Sequence, residues 1–190
     1  MAPATGESAA DNGRDPVADT RRWVERVVIG LNLCPFAKAV AVRGQVRYVL
    51  SGATTTDALL EDLGEALLHL RDTPAEIVDT TLLVHPGVLG DFLDYNDFLD
   101  TADALVESLA LDGVLQVASF HPQYQFAGTA PGDIDNATNR SPWPTLHLLR
   151  EDSVERAVAA FPDPDAIVSR NIDTLRRLGE AGLQRALAGD

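Results

Sequence analysis

The sequence predicts a mixed α+β (α/β-like) fold, a single domain whose sheet of about four strands, in the order βαβαβ then β, packs with helices, one of them at each end. Three observations lead there. Apolar residues recur at helical spacing in several stretches, and short β-branched or alternating runs fall between them. The strand–helix–strand succession favours parallel pairing through right-handed crossovers. The chain has 190 residues, 45% of them hydrophobic, and at that length a fold buries about 70% of its unfolded surface. The expected organisation is a disordered tail over 1–16 and one globular domain over 17–190.

The elements follow in order. Residues 1–16, mostly Ala, Gly, Asp, Pro and Ser, show no periodicity. From Val17, the residues Trp23, Val27 and Gly30/Leu31, with Val24 and Val28 beside them, predict a helix that Pro35 stops. Gln45 to Leu50 alternates and reads as a strand. Thr54 and Asp57 resemble a capping box ahead of a stripe of Leu59, Leu63, Ala66/Leu67 and Leu70, which ends before Pro74. Ile77 to Val84 reads as a buried strand closed by His85-Pro86-Gly87. Phe92 to Leu109 is a helix with Phe92, Leu99, Ala102, Val106 and Leu109 on one side, and Gly113 to Phe120 a third strand. An irregular stretch, His121 to Pro144, leads into a fourth strand, Thr145 to Arg150, for which an edge position and a hairpin pairing are both open. A short helix over Ser153 to Ala160 precedes a last one opened by Pro164, with Asp163 as N-cap. Helices are expected on one face of the sheet, with both faces open to them.

Composition excludes several function classes. The formal net charge is −14, from 29 acidic and 15 basic residues, and no Lys/Arg cluster offsets it. Such a surface repels phosphate backbones and anionic lipid, so neither nucleic acid nor a membrane is an expected partner. One cysteine, Cys34, rules out an intrachain disulfide and a four-cysteine zinc site. The first twenty residues lack the apolar core of a signal peptide, and no apolar run approaches the roughly 20 residues that span a bilayer. The expected location is the cytoplasm, the expected partner a small-molecule substrate; oligomeric state is left open. Phosphate-binding glycine loops, dinucleotide fingerprints, His-Glu-x-x-His pairs and Gly-x-Ser-x-Gly elbows are all missing.

Polar chemistry gathers between Phe120 and Arg150. The stretch His121 to Pro144 holds four prolines and two glycines, yet also Tyr124, Phe126 and Trp143 close to His121, Asn136, Asn139 and Arg140. A long loop rich in rings and hydrogen-bonding side chains fits a pocket wall or lid. His121 and His147 flank it, and if their strands are neighbours both imidazoles could approach one point. Histidine suits proton transfer near neutral pH and metal ligation. His85 is a possible third member, whereas His69 reads as a surface residue. Cys34, ahead of Pro35, is placed to cap a short helix over Pro35 to Val40, where the helix dipole favours its thiolate. Arg47, Arg140 and Arg150, with Arg43, could grip a carboxylate or phosphate. The run Asp91, Asp94, Asp97, Asp100, Asp103 reads as a solvated helix face.

Several segments carry a family resemblance: Leu31-Asn32-Leu33-Cys34-Pro35-Phe36-Ala37, Tyr95-Asn96-Asp97-Phe98-Leu99, Ala118-Ser119-Phe120-His121-Pro122, Tyr124-Gln125-Phe126, Asn139-Arg140-Ser141-Pro142 and His147-Leu148-Leu149-Arg150. Together they resemble the bacterial domain-of-unknown-function family DUF1415 over about residues 20–182. The resemblance implies no activity or cofactor. It places Cys34, His121, Asn139, Arg140, His147 and Arg150 in signature segments, and leaves His85 and Trp143 outside them.

The expectation is therefore a small-molecule enzyme, hydrolase or transferase. Cys34, His121 and His147 would form its reactive centre together with Asn139. Arg140, Arg150, Tyr124, Asn136 and Arg47 would hold an anionic or amide-containing substrate. Either Cys34 attacks an electrophilic carbon while histidine moves the proton, or Cys34, His121 and His147 bind a divalent metal such as zinc. The alternative is a non-catalytic module that binds a metabolite or another protein.

Overall fold

The computed structural model describes residues 13–161, 163 and 166–189. Most of the tail predicted over 1–16, and the helix start predicted at Pro164, lie outside them. The chain runs α1 (Pro16–Trp23), continued by a π-helical segment (Val24–Ile29), then α2 (Ala37–Val42), β1 (Val46–Leu50) and α3 (Thr56–Asp72). It goes on through β2 (Thr80–Val84), α4 (Phe92–Ser108), β3 (Leu115–Phe120), a 3-10 segment (Ile134–Asn139), β4 (Thr145–Arg150), α5 (Glu151–Ala159) and α6 (Ala166–Ala188).

One open mixed sheet carries the strands in the order β1-β2-β4-β3. β1 and β2 pair in parallel, and β4 runs antiparallel to both β2 and β3. β3 therefore points the same way as β1 and β2, as the strand–helix–strand succession requires. β4 is no edge strand. It is the pairing partner of β3 and fills the place between β3 and β2. The loop before it contains no crossover helix, so the chain returns antiparallel, into the one-strand gap that the β2-to-β3 crossover leaves.

Helices cover both faces. On one face Leu59, Leu63, Leu67 and Leu70 of α3 and Tyr95, Phe98, Ala102 and Val106 of α4 pack on Leu83, Leu115, Leu146 and Leu148. On the other, Trp23, Val24, Val27 and the α6 residue Leu175 meet Leu82, with Tyr48 and Phe120 against them. Each fully buried leucine in these layers stabilises the fold by about 1.5–3 kcal/mol relative to exposure.

Local details depart from expectation by small shifts. The cap of α3 is Thr55 rather than Thr54, its Oγ1 accepting from the Ala58 amide at 3.2 Å. The buried stripe of α4 is led by Tyr95 and Phe98, with Phe92 and Leu99 only partly buried. β2 begins at Thr80, because the Ile77 and Val78 amides turn back onto the Pro74 carbonyl and leave Ile77 63% exposed. α2 begins at Ala37, with Phe36 at its cap position, so Cys34 precedes the helix and does not cap it. α6 is broken at Gly179, whose φ of +64° is a conformation glycine adopts without Cβ strain. No described helix is long and apolar enough to cross a membrane.

Candidate functional site

The 121–144 loop is tied down by its own polar residues. Fully buried Asn136 accepts from the Phe126 amide at 3.0 Å and from Thr129 Oγ1 at 2.7 Å, and its Nδ2 donates to the Ala130 carbonyl at 2.9 Å. Arg140 donates from Nε to the Tyr124 carbonyl at 3.0 Å and from Nη2 to the Pro131 carbonyl at 2.6 Å. Asn139 donates to the Ser119 carbonyl at 3.2 Å while its own carbonyl accepts the His121 amide at 3.1 Å. Trp143 pins the end of the loop to α1 through Nε1 and Asp19, at 3.2 Å. Asn136 and Arg140, both expected to grip substrate, are thus spent on holding the loop.

Arg150 is likewise committed. Its guanidinium donates to the carbonyls of Leu70, Thr73 and Val78, closing the end of α3 against the sheet. Arg47 stands in register with Thr81 on the face covered by α3 and α4. Its Nη1 and the Thr81 Oγ1 are buried, and neither has a partner among the described residues.

The two flanking histidines do not converge. β3 and β4 are neighbours, but Ala118 is opposite His147 and Phe120 opposite Thr145, so His147 shares the face of Phe120. Its ring lies 5.6 Å from the Phe120 ring and its Nε2 is 2.8 Å from Thr80 Oγ1. That hydroxyl gives its proton to the Leu148 carbonyl, so Nε2 of His147 is the donor. His121, one residue beyond Phe120, turns to the opposite face and packs on α4, 5.0 Å from the Tyr95 ring and 5.5 Å from Phe92. Cys34 lies in the turn after the π-helical segment, whose neighbour Leu33 belongs to the core on the α1 and α6 side. The expected Cys34–His121–His147 centre, catalytic or metal-binding, is not assembled, and the sheet stands between His121 and His147. Among the described residues no group of three or more His, Cys, Asp or Glu could hold a metal ion.

What the fold does bring together is His121 with His85. Both follow directly on strands that run in parallel, β3 and β2, and so sit at the carboxyl edge of the sheet, where ligands of open α/β folds bind. Both are fully buried against Tyr95, whose ring stacks on His85 at 5.7 Å. The Tyr95 hydroxyl donates to the Thr145 carbonyl at 2.8 Å and accepts from the Phe120 amide at 3.2 Å, which fixes the platform to β3 and β4. Tyr124 of the loop lies 5.1 Å from the Phe92 ring and completes the wall.

Hydrogen bonding decides the tautomers. His85 Nδ1 is 3.1 Å from the Val88 carbonyl, and a carbonyl only accepts, so Nδ1 carries the proton and Nε2 is a bare lone pair. That Nε2 is buried and has no partner among the described residues. His121 donates from Nε2 to the Leu89 carbonyl at 3.1 Å, and its Nδ1 accepts the Gln123 amide at 3.1 Å. The 85–90 segment that supplies both carbonyls is held close: a Cβ on Gly87 would lie 2.7 Å from the Ala53 carbonyl oxygen. Leu89 holds φ at +58°, a strained conformation of order 1–3 kcal/mol of the kind that clusters at functional sites.

The family model described as "Protein of unknown function (DUF1415)" matches residues 15–185. The chain belongs to that family. No curated protein and no solved structure matches it.

In this DUF1415 chain both buried histidines are held neutral. Burial drives His85 down to about 4, against the Val88 hydrogen bond that raises it, with the nearby His121 lowering it further. His121 is lowered by burial, opposed by its Leu89 hydrogen bond and by Asp91. Tyr95 is pushed well above its ordinary range by burial. Sequence reading raised His85 as a third histidine but missed Tyr95 and Phe92. The signals were the strand end at His85-Pro86-Gly87, equivalent to His121-Pro122, and the phase of α4 set by its Asp91 cap.

Proposed function

We propose that this chain is a small-molecule enzyme whose proton-transfer group is His85, at the carboxyl ends of β2 and β3 beneath the 121–144 loop. The observation that carries the reading is the Nε2 of His85, buried and without a partner among the described residues. Buried polar atoms are nearly always satisfied, and an exception calls for a ligand, a water or a catalytic role. Its Nδ1–H is fixed on the Val88 carbonyl, which holds the ring and keeps the lone pair on Nε2 as a base. At about 4 the ring stays unprotonated throughout the neutral range, so its Nε2 remains an acceptor.

The substrate class follows from charge. Arg140 and Arg150 are committed to backbone carbonyls, and Arg47, whose Nη1 has no partner among the described residues, stands opposite Thr81 in mid-sheet and not at the carboxyl edge beside His85. Of the two classes expected, the amide-containing, uncharged one fits and the anionic one does not. The rings of Tyr95, Phe92 and Tyr124 offer it flat apolar walls. Since His85 is fully buried, substrate entry requires the 85–90 segment or the loop to swing away, and closure then excludes water.

The test is turnover of a library of neutral, amide-bearing metabolites by wild type and His85→Gln, followed by mass spectrometry and paired with ligand-induced thermal shifts. Loss of turnover by about 10²- to 10⁴-fold with binding retained is the expected result. Unchanged turnover in His85→Gln would sink the assignment. Binding without turnover in wild type would establish the non-catalytic module instead.

A further inference from the structure

A hollow lies between α6 and the turn Leu31–Pro35, on the side of the molecule away from His85, with a cavity volume of about 280 Å³. We propose that it binds a small molecule through an anionic group, phosphate or carboxylate. Arg170, Thr174 and Arg177 follow one another at helical spacing and line it together, with Asn171 beside them. Arg176 next door on the same helix is paired with Asp135 at 2.7 Å. Among the described residues neither Arg170 nor Arg177 forms an ion pair.

Both are instead oriented by weaker contacts that leave donors available. Arg170 lies over the Phe161 ring at 5.1 Å and donates from Nε to the Ala166 carbonyl at 3.2 Å. Arg177 donates to Thr174 Oγ1 at 3.4 Å. The opposite wall is held in place, because Asn171 Nδ2 donates to the Leu33 carbonyl at 2.7 Å. Asn32, which lines the hollow, holds φ at +54°, a left-handed conformation that asparagine tolerates. Two planar guanidinium forks beside a hydroxyl suit the oxygens of phosphate or carboxylate. Phe161, Ile167 and Pro35 supply the apolar side. Asp173 also lines the hollow and lies within electrostatic reach of Arg176, so among the described lining residues two arginines stand against one carboxylate. The volume is at the small end for ligand pockets and fits a single small metabolite.

The experiment is calorimetric titration of the full chain with phenyl phosphate and with benzoate, at ionic strength matched by sodium chloride. Saturable binding of either probe is expected, and which one binds tells phosphate from carboxylate. The double variant Arg170→Gln/Arg177→Gln is expected to weaken it at least about tenfold, the loss of a charge-assisted contact of about 1.4 kcal/mol or more. Arg176→Gln, on the same helix, and His85→Gln, at the other site, are expected to bind as wild type. Absence of saturable binding, or equal weakening by Arg176→Gln and by the double variant, would overturn the proposal. Failure of the His85 reading leaves this result unchanged, since the two sites share no residue.

Discussion

At the scale of single residues, His85 links the candidate site to stability. An unfolded histidine titrates near 6.5, the folded one at about 4. Between those values the unfolded chain binds a proton that the folded chain refuses, so stability falls as pH falls through that window and is complete above it. A gap of about 2.5 units at about 1.4 kcal/mol each corresponds to about 3.5 kcal/mol once the window is fully crossed. Urea unfolding at pH 7 and pH 4.5 is expected to show a loss of that order in wild type and a smaller one in His85→Gln. His121 and His147 are lowered in the same direction, so the variant flattens the slope without abolishing it. An identical pH slope in both proteins would mean that His85 is solvated in solution.

At the scale of the element, the 121–144 loop is ordered by few groups, and Asn136 is the most exposed to test. It is fully buried and makes three hydrogen bonds that join residues 126, 129 and 130 to the 3-10 segment. Asn136→Ala leaves those partners unsatisfied inside the loop, at a cost of about 1–3 kcal/mol. Limited proteolysis is expected to cut the variant faster than wild type within 121–144, with β3 and β4 themselves spared. Unaltered cleavage would show that the rings of Tyr124 and Phe126 and the Trp143–Asp19 bond hold the loop without Asn136.

At the scale of the whole molecule, the placement of β4 dictates where the structure is hardest to open. β2 and β4 are interior strands paired on both sides, whereas β1 and β3 each leave one edge unpaired. The most protected amides are therefore expected in Leu82, Leu83, Leu146 and Leu148, and faster exchange in the outer strands, by hydrogen–deuterium exchange with fragment resolution. Exchange of β4 as fast as β1 would place β4 at an edge in solution. Parallel β2 and β3 put His85 and His121 at one carboxyl edge, and α6 lies on the far side of the sheet, where its Arg170 and Arg177 line the hollow beside the Leu31–Pro35 turn.

Helix and strand positions were legible in the chain because their signals are local. The leucine stripe of α3, the alternation of β1 and the boundaries of β4 each depend only on residues a turn or a pleat apart. The polar loop was legible too, since its rings and amides stand next to one another in sequence. Which histidines meet was not. Alternation along a strand reverses the face with every residue, so the partnership of His121 depended on Ala118, not Phe120, standing opposite His147, and on α4 presenting Tyr95 between strands β2 and β3. Arg140, Asn136 and Arg150 look like ligand grips in sequence, but whether a guanidinium or amide faces a substrate or a nearby backbone carbonyl is set by the packing around it. Pattern along the chain determined the elements; only register and packing in three dimensions decided that His85, and not Cys34 or His147, lies beside His121 against Tyr95.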